Sequence, residues 1–284
     1  MQVITAEDNA TRLPRRAMVT GNRGLTITGT ILASFRVIDD EPFSFEPGEY
    51  IAIDCLDPVK EYCRSPYCIF SPPNEDRTFE LLVRVVADGP VSLFLSRLKT
   101  GDVIGFRGPI GKSMLVQNDD EESILLATGV GISPFHSLLH LLRTNSSRQP
   151  VSLYWGLRME QDICLVESLE ELALLYPNFR YFISLSEPPD HWKGLRGRLT
   201  ETVPPLLKTL RKKHFYLCGN GAMIAEMAAA LGEMGVPRTL IFEESFFNHK
   251  YKPRPADVQR IRERFIATDL VSPFDRLKEL VDSP

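Results

Sequence analysis

Several absences narrow the reading of this 284-residue chain. No run approaches the ~20 apolar residues that a membrane-crossing helix needs. Residues 1–16 hold no apolar core of signal-peptide length. There is no excess of positive charge: 33 Lys and Arg stand against 37 Asp and Glu, a net charge of −4. Nucleic acid binding demands a basic face, so it is set aside as the main activity. Cysteine is sparse, and neither a CxxC pair nor an iron–sulfur ligand run occurs. The five, Cys55, Cys63, Cys68, Cys164 and Cys218, are scattered and odd in number. They read as reduced thiols, and with the missing leader they point to the cytoplasm. No internal repeat and no long low-complexity segment is present.

What is present divides into two styles. Up to about residue 115 the chain is β-rich, with strand-like runs at Leu25–Val37, Tyr50–Cys55 and Phe79–Val86. Gly and Pro punctuate these runs, as small sandwiches and barrels require. One helix, Val91–Leu98, interrupts them. The acidic stretch Asn118–Glu122 then reads as a link. Beyond it, strands at Ser123–Ala127, Val151–Trp155, Phe179–Leu185, Phe215–Leu217 and Thr239–Phe242 alternate with helices at Pro134–Leu142, Ile163–Leu175 and Ala222–Met234. That rhythm predicts a parallel α/β sheet. The expected fold is an N-terminal antiparallel β-barrel over 1–118, then a Rossmann-like parallel α/β domain over 119–247. A C-terminal extension over 248–284 would carry a charged helix near Asp257–Phe265.

Ligands of open α/β sheets bind outside the carboxyl ends of the strands. Two glycine turns are expected there. In Leu125–Phe135 (LLATGVGISPF) a buried strand runs into Thr128, Gly129 and Gly131, and a helix starts at Ile132–Pro134. Glycines let backbone approach a pyrophosphate, and helix-start amides attract it. A ligand-free glycine turn explains the same residues. The second turn is YLCGNGAM, with Cys218, Gly219 and Met223; Cys218 is either a core thiol or a group facing a nicotinamide. In the β half, RSPYCIFSPP (Arg64–Pro73) offers an arginine and an aromatic ring. DGPVSLFLSRL (Asp88–Leu98) offers a helix start at Gly89–Ser92. Each alone is also read as an ordinary strand or surface feature.

Taken together and in this order, these segments resemble the ferredoxin–NADP reductase superfamily of flavoproteins over about residues 20 to 247. GPIGKSML (Gly108–Leu115) is most similar to the plastid-type members. The resemblance implies FAD on the barrel and a nicotinamide dinucleotide on the α/β domain. Hydride then passes between nicotinamide and flavin N5, and single electrons pass to or from a ferredoxin-type iron–sulfur protein or a flavodoxin. It implies FAD contacts at Tyr67, Cys68, Ile69, Gly89, Val91 and Ser92. Cys68 stands where the family has serine or threonine near N5. The family arginine sits two residues before the tyrosine, where this chain has Ser65; Arg64 reaches the FAD pyrophosphate if the loop carries an extra residue. Phe246 replaces a terminal tyrosine that stacks on the flavin, and 38 residues follow it.

For NAD(P)H the resemblance implies Lys112, Thr128, Gly129, Gly131, Ile132 and Pro134. It adds Ser186, Glu187, Arg198, Cys218, Gly219 and Met223. Cys68, Cys218 and Glu244 are the expected groups at the reacting atoms. Ser186-Glu187 stands where NADPH-users have serine-arginine, so NADH is favoured, with Arg196, Arg198 and Lys112 opposing. The tail from 248 reads as a capping helix, a dimer contact or an active-site cover. Arg12, Arg15, Arg16 and the Lys250, Lys252, Arg254 cluster are candidate docking charges. Two other readings stay open: a flavin subunit of a multicomponent oxygenase or larger redox complex, and a flavin-free nucleotide-binding regulator.

Overall fold

The computed structural model describes residues 14–57, 61–87, 89–111 and 121–245. Lys112, Phe246, Arg12, most of the acidic link and everything assigned to the tail lie outside the described residues. The chain forms two compact units.

The first is a six-stranded sheet. Its strands are β1 (Arg15–Gly24), β2 (Thr30–Val37), β3 (Tyr50–Asp57), β4 (Glu61–Cys68), β5 (Thr78–Arg84) and β6 (Val103–Ile110), in spatial order β4-β3-β6-β1-β2-β5. The pairs β1–β2, β1–β6, β3–β4 and β3–β6 are antiparallel. Register shifts at Val19/Gly21 and Tyr50/Ala52 mark bulges, which add the twist a curled sheet needs. Alternate residues turn inward. Phe35, Phe43, Phe79 and Phe106 form the centre, with the Phe35 and Phe79 rings stacked at 5.0 Å. Each such ring contributes roughly 1.5–3 kcal/mol by leaving water. Helix α1 (Pro90–Arg97) adds Val91, Phe94 and Leu95 to the same core. Arg15 belongs to this packing and is not a solvated docking charge. Its guanidinium binds Asp39 at 2.8 Å and lies over the rings of Phe43 and Phe106.

The second unit holds β7 (Glu122–Thr128), β8 (Val151–Leu157), β9 (Phe179–Leu185), β10 (Leu195–Arg196), β11 (Lys213–Gly219) and β12 (Ile241–Ser245). All pair in parallel, in the order β10-β9-β8-β7-β11-β12. Ile124, Leu125, Leu126 and Ala127 are all buried, as a parallel strand covered on both faces must be. The helices are α2 (Ser133–Thr144), α3 (Val166–Leu175), the short α4 (Leu199–Thr202) and α5 (Gly221–Glu233). Asn220 caps α5 by accepting from the amides of Ala222 and Met223. At the amino ends of the strands Glu122 gathers three donors: Lys213, Arg180 at 2.9 Å and Ser152 at 2.6 Å. On α2, His136 is buried and its ring lies 2.9 Å from the Ser168 hydroxyl of α3 and 3.3 Å from His140.

Candidate functional site

Chain order in the parallel sheet reverses at one place. From β7 the strands run outward through β8, β9 and β10; β11 and β12 lie on the other side of β7. The crevice at the carboxyl ends of β7 and β11 is therefore the topological switch point, where such sheets bind ligands. Both glycine turns are there. Thr128 ends β7 and Gly219 ends β11, and the Thr128 hydroxyl accepts the amide of Asn220 at 2.9 Å.

The three glycines do different things. A Cβ on Gly131 would stand 2.5 Å from the Cys218 carbonyl, and one on Gly219 would stand 2.3 Å from Thr128 Oγ1. Gly219 also has φ +131°, in the region that favours glycine. These two let the β7 turn lie directly on the end of β11. Gly129 is exposed, has φ +55°, and a Cβ there would meet nothing within 4 Å. It leaves backbone open to an incoming group, as a pyrophosphate requires. Ile132, Pro134 and Met223, which follow the turns in the chain, are buried.

The expected reactive groups of this unit are neighbours. Cys218 is opposite Glu244 in the β11–β12 register, and both lie near the strand ends. Cys218 is fully buried; burial raises the Glu244 carboxyl above its ordinary value. At the ends of β8 and β9, Glu187 pairs with Arg158 at 2.9 Å, both side chains exposed. Arg158 escaped the sequence reading. Its signal was position: it follows a buried strand one residue beyond its end, as Glu187 follows β9 by two. Ser186 is exposed, and Arg198 is exposed with its amide bound to Glu201.

In the antiparallel unit the expected FAD residues fall on different faces. β3 and β4 pair without interruption from Tyr50↔Cys68 to Asp57↔Glu61. No extra residue is inserted, so Arg64 points to the side opposite Tyr67. Arg64 Nε binds Asp54 at 2.6 Å, Arg107 Nε binds the same carboxylate at 3.1 Å, and the Tyr62 hydroxyl donates to it at 2.5 Å. Asp54 is fully buried, so this cluster is an internal ion network. The condition set for Arg64 to reach a pyrophosphate, an inserted residue, is not met within β4. Tyr67 instead packs against the core with Cys63. Burial foremost pushes its phenol up, Cys55 adding to this and a hydrogen bond with Ser65 opposing it. Cys68 is buried on Arg64's side of β4 and Ile69 follows it, also buried. Gly89 caps α1. The Ser92 hydroxyl accepts from the Val86 amide at 3.2 Å and donates to the Gly89 carbonyl at 2.9 Å, so it pins the turn itself. Val91 is buried in the core.

Comparison with known proteins agrees with this division. Residues 27–114 match the Oxidoreductase FAD-binding domain family, and residues 125–229 match the Oxidoreductase NAD-binding domain family. Ferredoxin–NADP reductase B of Sorangium cellulosum is 31% identical over 220 residues, covering 75% of this chain and 90% of that protein. Phenol hydroxylase P5 protein of Acinetobacter pittii is 32% identical over 214 residues, and the match spans 74% of this chain and 60% of that one. The solved cytochrome P450 reductase GcoB of Amycolatopsis superposes with a TM-score of 0.73 at 25% identity, over 83% of this chain and 70% of its own. No described helix is long and apolar enough to cross a membrane. The chain belongs to the ferredoxin reductase-like superfamily and is an FAD- and NAD(P)-binding oxidoreductase.

Proposed function

We propose that this chain is a reductase that takes hydride from NAD(P)H and passes single electrons to a separate protein carrier, with residues 1–118 holding FAD and 119–247 holding the dinucleotide. The observation that carries the reading is the pair of glycine turns at the switch point. Gly131 and Gly219 close the turn, and Gly129 leaves its backbone open. When bound, the flavin converts a two-electron hydride transfer into one-electron steps. The chain's own residues bind and orient. The amides that follow Gly129 hold a pyrophosphate, and Cys218 walls the nicotinamide position. Glu244, its carboxyl raised above the ordinary value by burial, lies beside it. In the antiparallel unit, the helix start at Gly89–Ser92 presents backbone to the FAD pyrophosphate, and Cys68 lies on the flavin strand.

The Arg158–Glu187 pair bears on the choice of dinucleotide. Glu187 alone would repel a 2′-phosphate and favour NADH. Arg158 offsets that charge, so the preference is for NADH but small.

The acceptor is a ferredoxin-type iron–sulfur protein or a flavodoxin. Relatives named as a phenol hydroxylase component and as a xylene/toluene monooxygenase electron transfer component favour a second reading, an oxygenase reductase subunit. Other relatives are named NADH-cytochrome b5 reductase, which adds a small haem protein to the acceptors worth assaying. The odd, scattered thiols favour a reducing compartment such as the cytoplasm. The test is anaerobic stopped-flow reduction of the purified protein by NADH and NADPH in parallel. Turnover with a ferredoxin, a flavodoxin and cytochrome b5 follows. Flavin bleaching by either nucleotide is expected, with ferredoxin or flavodoxin the faster acceptor. A protein that carries no FAD, or whose flavin neither nucleotide reduces, refutes the reading.

A further inference from the structure

We propose that Cys55 and Cys63 form a redox-active dithiol, a site of reversible disulfide formation across β3 and β4. The two residues are directly opposite in the antiparallel register. Both belong to one core face: Cys55 is inside the hydrophobic cluster and Cys63 packs against it. The next pairs on that face are Ile53↔Ser65 and Ile51↔Tyr67, and the influence of Cys55 on the Tyr67 phenol places its sulfur on the same side. The two thiols are therefore cross-strand neighbours, although seven residues separate them in sequence (56–62).

Directly opposite residues hold their Cβ atoms ~4.5–5.5 Å apart, and a disulfide needs ~3.5–4.5 Å. Closure draws the strands together by about an ångström. A bond made that way is strained and readily reduced, the property of reversible rather than structural disulfides. Access is asymmetric, because Cys55 is 1% exposed and Cys63 is half-buried. An oxidant therefore meets Cys63 first. The other cysteines are placed differently. Cys68 lies on the opposite face of β4, and Cys164 and Cys218 lie in the parallel unit. Cys218 is fully buried, and burial with nearby Asp162 pushes the Cys164 thiol up to about 11, which suppresses its thiolate.

The oxidant is hydrogen peroxide. The Cys63 thiolate attacks one peroxide oxygen, an S–O bond forms and the O–O bond breaks, and the released hydroxide takes up a proton to leave as water. The Cys55 sulfur then attacks the Cys63 sulfur; the S–S bond forms, the S–O bond breaks and a second water leaves. Two thiols lose two protons and two electrons, and peroxide becomes two waters. A small dithiol returns the pair to thiols.

The FAD-loaded full chain is treated with stoichiometric peroxide, blocked with N-ethylmaleimide and digested with trypsin without reductant. Cleavage after Lys60 puts the two cysteines on separate peptides. The expected product is the Cys55 peptide linked to the Cys63 peptide, lost on adding dithiothreitol, with Cys164 and Cys218 still thiols. In Cys63→Ser the link is absent while the circular dichroism spectrum and FAD content are retained. Cys55→Ser leaves Cys63 as a sulfenic acid that dimedone traps. Over-oxidation of Cys63 without a link, a dominant link to any other cysteine, or a link that forms only in denaturant overturns the proposal.

Discussion

In the antiparallel unit a residue's neighbours are chosen by strand parity, and in the parallel unit by strand ends. Along β4 a step of one residue moves a side chain to the other face, which is how Arg64 comes to lie on Asp54 while Tyr67 packs on the core with Cys63. Along β7, β8, β9 and β11 the groups of interest lie within two residues of the strand's last residue. A shift of one there moves a group along the crevice without removing it from it. Motif spacing is consequently a hard constraint in the first unit and a soft one in the second.

The largest effects are expected where the two glycine turns meet. Gly219→Ala forces a Cβ into the Thr128 hydroxyl and backbone, and Gly131→Ala forces one into the Cys218 backbone. Each should cost about 2–4 kcal/mol of stability, read by thermal unfolding of the parallel unit. Gly129→Ala meets open space and pays only the left-handed backbone, about 1 kcal/mol. Its effect should fall mainly on KM for the dinucleotide. If Gly129→Ala is as destabilising as Gly219→Ala, the division of labour among these glycines is wrong.

Removing one charge from each unit separates them again. Asp54→Ala strands Arg64 and Arg107 in a buried position and should cost about 3–5 kcal/mol in denaturant unfolding. Glu187→Ala breaks an exposed pair and should change stability by less than about 1 kcal/mol. Its effect belongs in specificity. Glu187→Ala should raise kcat/KM for NADPH relative to NADH, and Arg158→Ala should lower that ratio by about tenfold. A ratio unmoved by both substitutions removes the pair from the ribose position.

The smallest effect is a pH slope. Burial, then Arg143, lowers the His140 pKa below its ordinary 6.5, with Glu171 opposing. A depressed imidazole contributes stability that is fully present above pH 6.5 and is lost as pH falls towards the folded value. Unfolding midpoints at pH 7.5 and pH 5 should therefore differ less in His140→Gln than in wild type. An unchanged difference would show that the acid sensitivity arises elsewhere.

The parallel unit was highly legible. Phe179–Leu185 is a strand with the bounds its residues suggest, and the helix read at Pro134–Leu142 runs Ser133–Thr144. Buried parallel strands are continuous apolar runs, and helices between them show their period. The antiparallel unit was read less well. β1 (RRAMVTGNRG) and β6 (VIGFRGPI) were not recognised, because neither alternates apolar and polar residues cleanly and both carry glycine. Such strands are made by their neighbours more than by their own preferences. The run read as one strand at Leu25–Val37 begins only at Thr30.

The sequence by itself determined the family, both cofactor classes and the residue types at the two glycine turns. These depend on short contiguous stretches in which chemistry and local geometry coincide. Only the tertiary structure decided that Arg64 binds Asp54, that Arg158 faces Glu187, that Cys218 is beside Glu244 and that Cys55 is opposite Cys63. Each of these depends on the register between strands or on the meeting of two strand ends. Hydrogen bonding and core packing select that register across the whole sheet, and no local stretch of sequence carries it.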